Sequence, residues 1–143
     1  MTGFLLDTNV VSEVIRPRPS PRVLAFFRQT PMGGLFLSDI VVAEIRYGIE
    51  TATDVTRRSQ LAAWLEDIIR PMYAGRILPL TENVLLRWRL MLEMCRKQGT
   101  IVSEPDLMLA ATAAEHSLTI VSRDTAPFKL FDLPVLDPWI WQG

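Results

Sequence analysis

Apolar residues recur along this chain in short runs separated by longer amphipathic stretches, a pattern that predicts strands and helices in alternation. Phe4-Leu5-Leu6 followed by Asp7 reads as a first strand over 4–7. A short helix is expected over 10–15, then a break through Arg16-Pro17-Arg18-Pro19-Ser20. Pro21 suits the first turn of a second helix reaching about residue 29, and Gly33-Gly34 turns the chain into a second strand, Leu35-Phe36-Leu37-Ser38. A long helix follows from about 39 to 52, capped by Ser38 or Asp39, and another from about 56 to 69 that stops before Pro71. Arg76-Ile77-Leu78 reads as a third strand. The helix over 82–98 carries Leu85, Leu86, Leu90 and Met94 at helical spacing, which assigns them to the core, and Gly99 closes it. A further helix, capped by Ser103 or Glu104, runs to about His116 and feeds the strand Leu118-Thr119-Ile120-Val121; the tail from Pro134 to Trp141 holds a short last strand and an aromatic end. Such alternation argues for an α/β fold, a short and mainly parallel sheet flanked by helices.

The 143 residues suit a single domain over 1–143, long enough to bury about 68–70% of the surface of the unfolded chain. One cysteine, Cys95, excludes an internal disulfide framework, and one histidine, His116, excludes a Cys/His zinc cluster. Any metal must therefore be held by oxygen. Without a disulfide framework, a reducing cytoplasm is the expected setting; no apolar run reaches the length of a membrane span, and Met1-Thr2-Gly3 leads into the first strand without a charged leader. The formal net charge of −1 does not by itself suggest a nucleic-acid binder. It conceals Arg16, Arg18, Arg22 and Arg28, which lie in an acid-free stretch between Glu13 and Asp39. Arginine grips phosphate with a planar fork, so this stretch is a candidate phosphate contact, although the pattern alone favours a solvated, Arg-rich loop and helix face.

Four carboxylates stand where this alternation delivers them to one edge of the sheet. Asp7 ends the first strand, Glu44 lies inside the helix after the second, Asp106 lies in the first turn of the helix before the fourth, and Asp124 follows that strand by three residues. In a parallel sheet, strand ends and helix starts share one rim. Each acid also has a plain structural use: Asp7 as a helix cap, Asp106 as a partner of the helix dipole, Asp124 in an Asx turn. Glu44 has Ile40, Val41, Tyr47 and Gly48 as helical neighbours, which predicts a buried acid on an apolar face. Together, four acids need compensation, because two unit charges ~4 Å apart repel by about 4 kcal/mol at an effective dielectric near 20. Hard oxygen ligands point to Mg²⁺ or Mn²⁺ and to metal-assisted hydrolysis.

The ordered set Leu5-Leu6-Asp7-Thr8-Asn9-Val10, Ala43-Glu44-Ile45-Arg46-Tyr47-Gly48, Asp106-Leu107-Met108-Leu109-Ala110-Ala111-Thr112 and Val121-Ser122-Arg123-Asp124 resembles the PIN-domain ribonucleases of the VapC toxin family, in their FitB-like branch. The resemblance spans essentially the whole chain. It implies a PIN-like three-layer fold, a homodimer, and Mg²⁺- or Mn²⁺-dependent cleavage of RNA to 5′-phosphate and 3′-hydroxyl ends. It also implies a VapB-like cognate antitoxin that occupies the site and binds promoter DNA. By position, Asp7, Glu44, Asp106 and Asp124 would be the acidic quartet, Asn9 would orient Asp7, and Ser122 would be the small hydroxyl residue beside the site. The chain departs from the pattern at the last motif, where many members carry Asn in place of Asp124 and an acid three residues later, here Pro127. Glu104 is an extra acid that suits a helix cap.

Two other readings remain at this level. One is a phosphatase forming an aspartyl-phosphate on Asp7, although such enzymes usually place a second Asp where this chain has Asn9. The other is a non-catalytic module that binds RNA or a partner through the Arg-rich stretch. Ser12 and Cys95 lack a basic partner that would make either a nucleophile.

Overall fold

The computed structural model describes residues 3–143; the expected lead-in at Met1-Thr2 lies outside them. Five short strands, β1 (Phe4–Leu6), β2 (Leu35–Ser38), β3 (Ile77–Leu78), β4 (Thr119–Val121) and β5 (Val135–Leu136), form one sheet in the order β3-β2-β1-β4-β5. Every pairing is parallel. A parallel sheet needs both faces covered, and here Leu5, Leu6, Leu35, Leu37, Ile120 and Val121 on the three central strands are fully sealed. All five carboxyl ends consequently share one edge.

The covering helices begin where a side-chain oxygen can take a free first-turn N–H. Asp7 caps α1 (Thr8–Glu13), Ser20 caps α2 (Pro21–Gln29), Ser38 caps α3 (Asp39–Glu50) and Asp54 caps α4 (Val55–Trp64). Thr81 caps α6 (Glu82–Gln98) and Ser103 caps α7 (Glu104–His116). The cap before α7 is thus Ser103, and Glu104 is the first helical residue. A short α8 (Ala126–Lys129) follows β4.

Two expectations are corrected. The helix expected to stop before Pro71 passes through it: after α4 the chain widens into a π-helical turn, Leu65–Ile69, and continues as α5, Arg70–Met72. Arg70 N donates to Leu65 O across the wide turn. The extra residue in that turn accommodates Pro71, which has no N–H to contribute. The second correction concerns α6, whose inward stripe is Val84, Trp88, Met91 and Cys95. Leu86 and Leu90 are 58% and 61% exposed, and Leu85 and Met94 are also outside. The reason is geometric, since α6 packs mainly along α7, joined by the Arg87–Glu115 ion pair at 2.8 Å, and only one of its two apolar stripes finds a neighbour.

Two glycines test these assignments by the same substitution. Gly99 ends α6 with φ 66°, ψ 25°, and Gly48 lies inside α3; a Cβ would meet nothing within 4 Å at either. Gly99→Ala should destabilise by about 1–2 kcal/mol through the left-handed backbone alone, whereas Gly48→Ala should stabilise by about 0.5–1 kcal/mol. Denaturant unfolding of the two variants checks the opposite signs.

Candidate active site

Asp7 stands at the carboxyl end of the central strand because β1 pairs with β4 in the register Leu6↔Val121. Its N–H donates to Val121 O at 2.9 Å, and its own carbonyl accepts from Val10 and Val11, starting α1. The carboxylate is held from two sides: Thr8 N donates to Oδ1 at 2.7 Å, and Ser122 Oγ donates to Oδ2 at 2.7 Å. Ser122 is fully buried and also accepts from Asp124 N at 3.1 Å. One hydroxyl therefore links two acidic positions that are far apart in sequence.

Burial is the main cause that raises the Asp7 carboxyl above its ordinary value; the Ser122 and Thr8 hydrogen bonds oppose it, and the charges of Asp106 and Asp124 add to it. Asp106, half-buried in the first turn of α7, is likewise raised by burial, opposed by Ser103 and pushed further by Asp124. Ser103 Oγ accepts from Asp106 N at 3.3 Å. These three aspartates thus share an electrostatic neighbourhood. Glu44 borders a small depression of about 10 Å³ whose other walls are Asp7, Thr8, Ile40, Val41, Pro105 and Leu109. That is room for about one water-sized species.

Glu44 itself is exposed, contrary to the buried position expected of it. Helix α3 buries Val41, Val42, Ile45 and Ile49 against the core, and the neighbouring apolar face with Tyr47, 68% exposed, points away. Asn9, expected to orient Asp7, instead has Oδ1 3.5 Å from Arg123 N, and Thr8 N and Ser122 Oγ do the orienting. The Arg stretch is divided. Arg16 lies 3.7 Å from Glu13, Arg22 donates to Trp141 O at 3.3 Å, and Arg18 and Arg28 are exposed.

Two features escaped the sequence. Glu13 is only 6% exposed and accepts from Ser20 N at 2.8 Å, tying down the Pro-rich break; its place beside Val10 and Val11 was the available signal. The Arg123 guanidinium lies 4.9 Å from the Trp139 ring centroid, a contact between distant segments that no local pattern carries.

Whether this edge suits a divalent cation depends on its donors, which are hard carboxylate oxygens. Among the described residues no three His, Cys, Asp or Glu side chains form a ready-made metal cluster. The donors fit an ion such as Mg²⁺, which keeps several waters and needs only one or two protein carboxylates.

Fold and edge together define a class: a parallel α/β protein with aspartates gathered at the carboxyl ends of its central strands. Residues 4–132 match the PIN domain family, and the chain belongs to it. It is 39% identical to Toxin FitB of Neisseria gonorrhoeae, over 95% of this chain and 98% of that protein. It is 33% identical to VapC ribonuclease Y4jK of Sinorhizobium fredii, over 95% and 97% respectively. The solved structure of FitAB bound to an IR36 DNA fragment superposes with a TM-score of 0.90 at 36% identity, covering 98% of both chains.

Because the folded Asp7 carboxyl lies above its ordinary value of 3.8, the native state retains its proton more strongly than the unfolded chain. Stability contributed by this group is therefore lost as pH rises from the ordinary carboxylate value through the raised one. Asp7→Asn, which can still accept from Thr8 N, should melt above the parent at neutral pH. The gap should close as pH falls below about 4, where the unfolded carboxyl becomes protonated as well. Thermal melting across that pH range checks the sign.

Proposed function

We propose that the chain is a ribonuclease toxin that uses Mg²⁺ or Mn²⁺ to hydrolyse RNA phosphodiesters in the cytoplasm and is silenced by a cognate antitoxin. The observation that carries this reading is the Asp7 carboxylate, pinned by Thr8 and Ser122 beside Asp106 and Asp124. Relatives named as a toxin and as a VapC ribonuclease support it. Asp7 and Asp106 would hold the principal ion, with Glu44 and Asp124 reaching it through water or completing a second position. Bound there, the ion would activate water and neutralise charge on the phosphate. Ser122 and Thr8 hold the Asp7 oxygens in place, and each oxygen retains acceptor capacity beyond its one observed donor. Ser103 fixes the start of α7 and with it Asp106. Arg18 and Arg28, exposed and outside the observed ion pairs, are the members of the Arg stretch best placed to meet an RNA backbone, with Arg16 and Arg22 partly engaged elsewhere.

The antitoxin reading is supported by the FitAB complex and by an apolar groove of about 240 Å³ on this chain. Val11, Val14, Phe27, Met32, Ile68 and Met72 line it, a surface suited to the apolar face of a partner segment. Promoter DNA would be bound through that partner.

Purified chain should cleave single-stranded RNA with Mg²⁺ or Mn²⁺, lose activity in EDTA, and be inhibited by the product of an adjacent antitoxin-like gene. Asp7→Asn and Asp106→Asn should each reduce cleavage by at least about 100-fold, the scale of a lost catalytic group, with Glu44→Gln nearly as severe. Undiminished metal-dependent cleavage by Asp7→Asn would refute the assignment.

We also infer a homodimer, supported by the outward stripe of Leu86, Leu90 and Met94 on α6. Glu82 at one end of this helix and Lys97 at the other would face each other in an antiparallel pair of copies. Leu86→Lys combined with Leu90→Lys should reduce the light-scattering mass from two subunits to one of 16.2 kDa.

A further inference from the structure

We propose that Arg123 binds an RNA phosphate adjacent to the one being cleaved, held in place by the Trp139 ring. The inference rests on the nuclease reading and adds to it a substrate-holding residue. Parallel pairing of β4 with β5, in the register Val121↔Leu136, brings the residues after both strands to the same edge as Asp7. Arg123 follows β4 by two residues, and Trp139 lies in the 3₁₀ turn Pro138–Ile140 just beyond β5. The guanidinium carbon is 4.9 Å from the ring centroid. Trp139 is itself fixed, since its backbone N–H donates to Asp137 Oδ1 at 2.8 Å and its ring packs against the core.

Arg123 is exposed, and among the described residues it enters no ion pair, although it stands between Ser122, which holds Asp7, and Asp124. A guanidinium lying against a ring keeps its edge N–H groups directed outward, the geometry that meets a phosphate with two parallel hydrogen bonds. Carboxylates along the rest of the edge repel a polyanion. One positioned cation beside them gives the strand an anchor and places the neighbouring phosphodiester toward Asp7 and Asp106.

The test uses the full chain carrying Asp7→Asn, so that RNA survives, and a fluorescent single-stranded RNA titrated by anisotropy over a range of KCl concentrations. Adding Arg123→Ala should weaken binding about tenfold, the scale of a lost charge-assisted hydrogen bond. It should also flatten the slope of log affinity against log salt by about 0.7, the value for one phosphate on a single strand. Arg123→Lys should restore the slope but only part of the affinity, because an ammonium lacks the fork. Trp139→Leu should keep the slope and lose affinity. In the active parent background, Arg123→Ala should raise KM more than it lowers kcat. Unchanged affinity and slope in Arg123→Ala, with the parent still cleaving RNA, would overturn this role and leave the nuclease reading intact. A parent that neither binds nor cleaves RNA would overturn both. If Arg123→Ala does not fold, the folded Arg123→Lys decides: full parental affinity would refute the fork.

Discussion

The pairing of β1 with β4 is the constraint on which the rest of the molecule depends. It joins residues more than a hundred positions apart, through the Asp7 N–H on Val121 O at 2.9 Å and the Ser122 hydroxyl on the Asp7 carboxylate at 2.7 Å. A slip of one residue would draw the Asp7 carboxylate from the edge into the sealed part of the sheet, where Leu5, Leu6, Ile120 and Val121 are fully buried on both faces and an unpaired charge costs several kcal/mol. The same register sets the exit of β4, and with it the positions of Arg123 and Asp124. Helix α7, which presents Asp106 at its start, delivers the chain to β4 at its end.

Gathering acids at this edge works against stability. Each of Asp7 and Asp106 is raised first by burial and then by its acidic neighbours. The donors from Thr8 and Ser122 on Asp7, and the neighbouring Ser103 hydroxyl at Asp106, oppose the shift, and hydrogen bonds to charged groups are worth about 1.5–3 kcal/mol each. They do not cancel it, since both carboxyls remain above their ordinary values. An edge left in that condition by a well-packed fold is suited to bind positive charge, because a cation removes the repulsion and draws on oxygens already oriented by fixed donors. Rigidity comes from the caps: the residues that begin α1 and α7 are also those that present or position the acids.

Apolar surface left uncovered elsewhere points to association. The outer stripe of α6 and the groove lined by Val11, Phe27, Met32 and Met72 are separate surfaces, one on a helix ridge and one between elements. A ridge suits a second copy of itself, whereas a groove suits an inserted segment. The π-helical turn at Leu65–Ile69 contributes Ile68 and Ile69 to that groove, so the accommodation of Pro71 also shapes a surface available to a partner.

Local pattern determined most of the elements. Strand–helix alternation, the caps at Ser38 and Ser103, Pro21 at a helix start and Gly99 at a helix end are all decided within a few residues, and each was legible because its physics is local. The acids were legible for a related reason: parallel topology sends every strand end to one edge, so Asp7, Asp106 and Asp124 could be assigned to it without knowing the packing. What only the tertiary structure decided is which of two apolar helix faces finds a neighbour. Helices α3 and α6 each carry more apolar positions than one interface can cover. Sequence spacing therefore assigned Glu44 and Leu90 to the interior, and packing left both outside. The Ser122 bond that orients Asp7 and the contact of Arg123 with the Trp139 ring were hidden for the same reason, because they join chain segments that meet only after β1, β4 and β5 have paired.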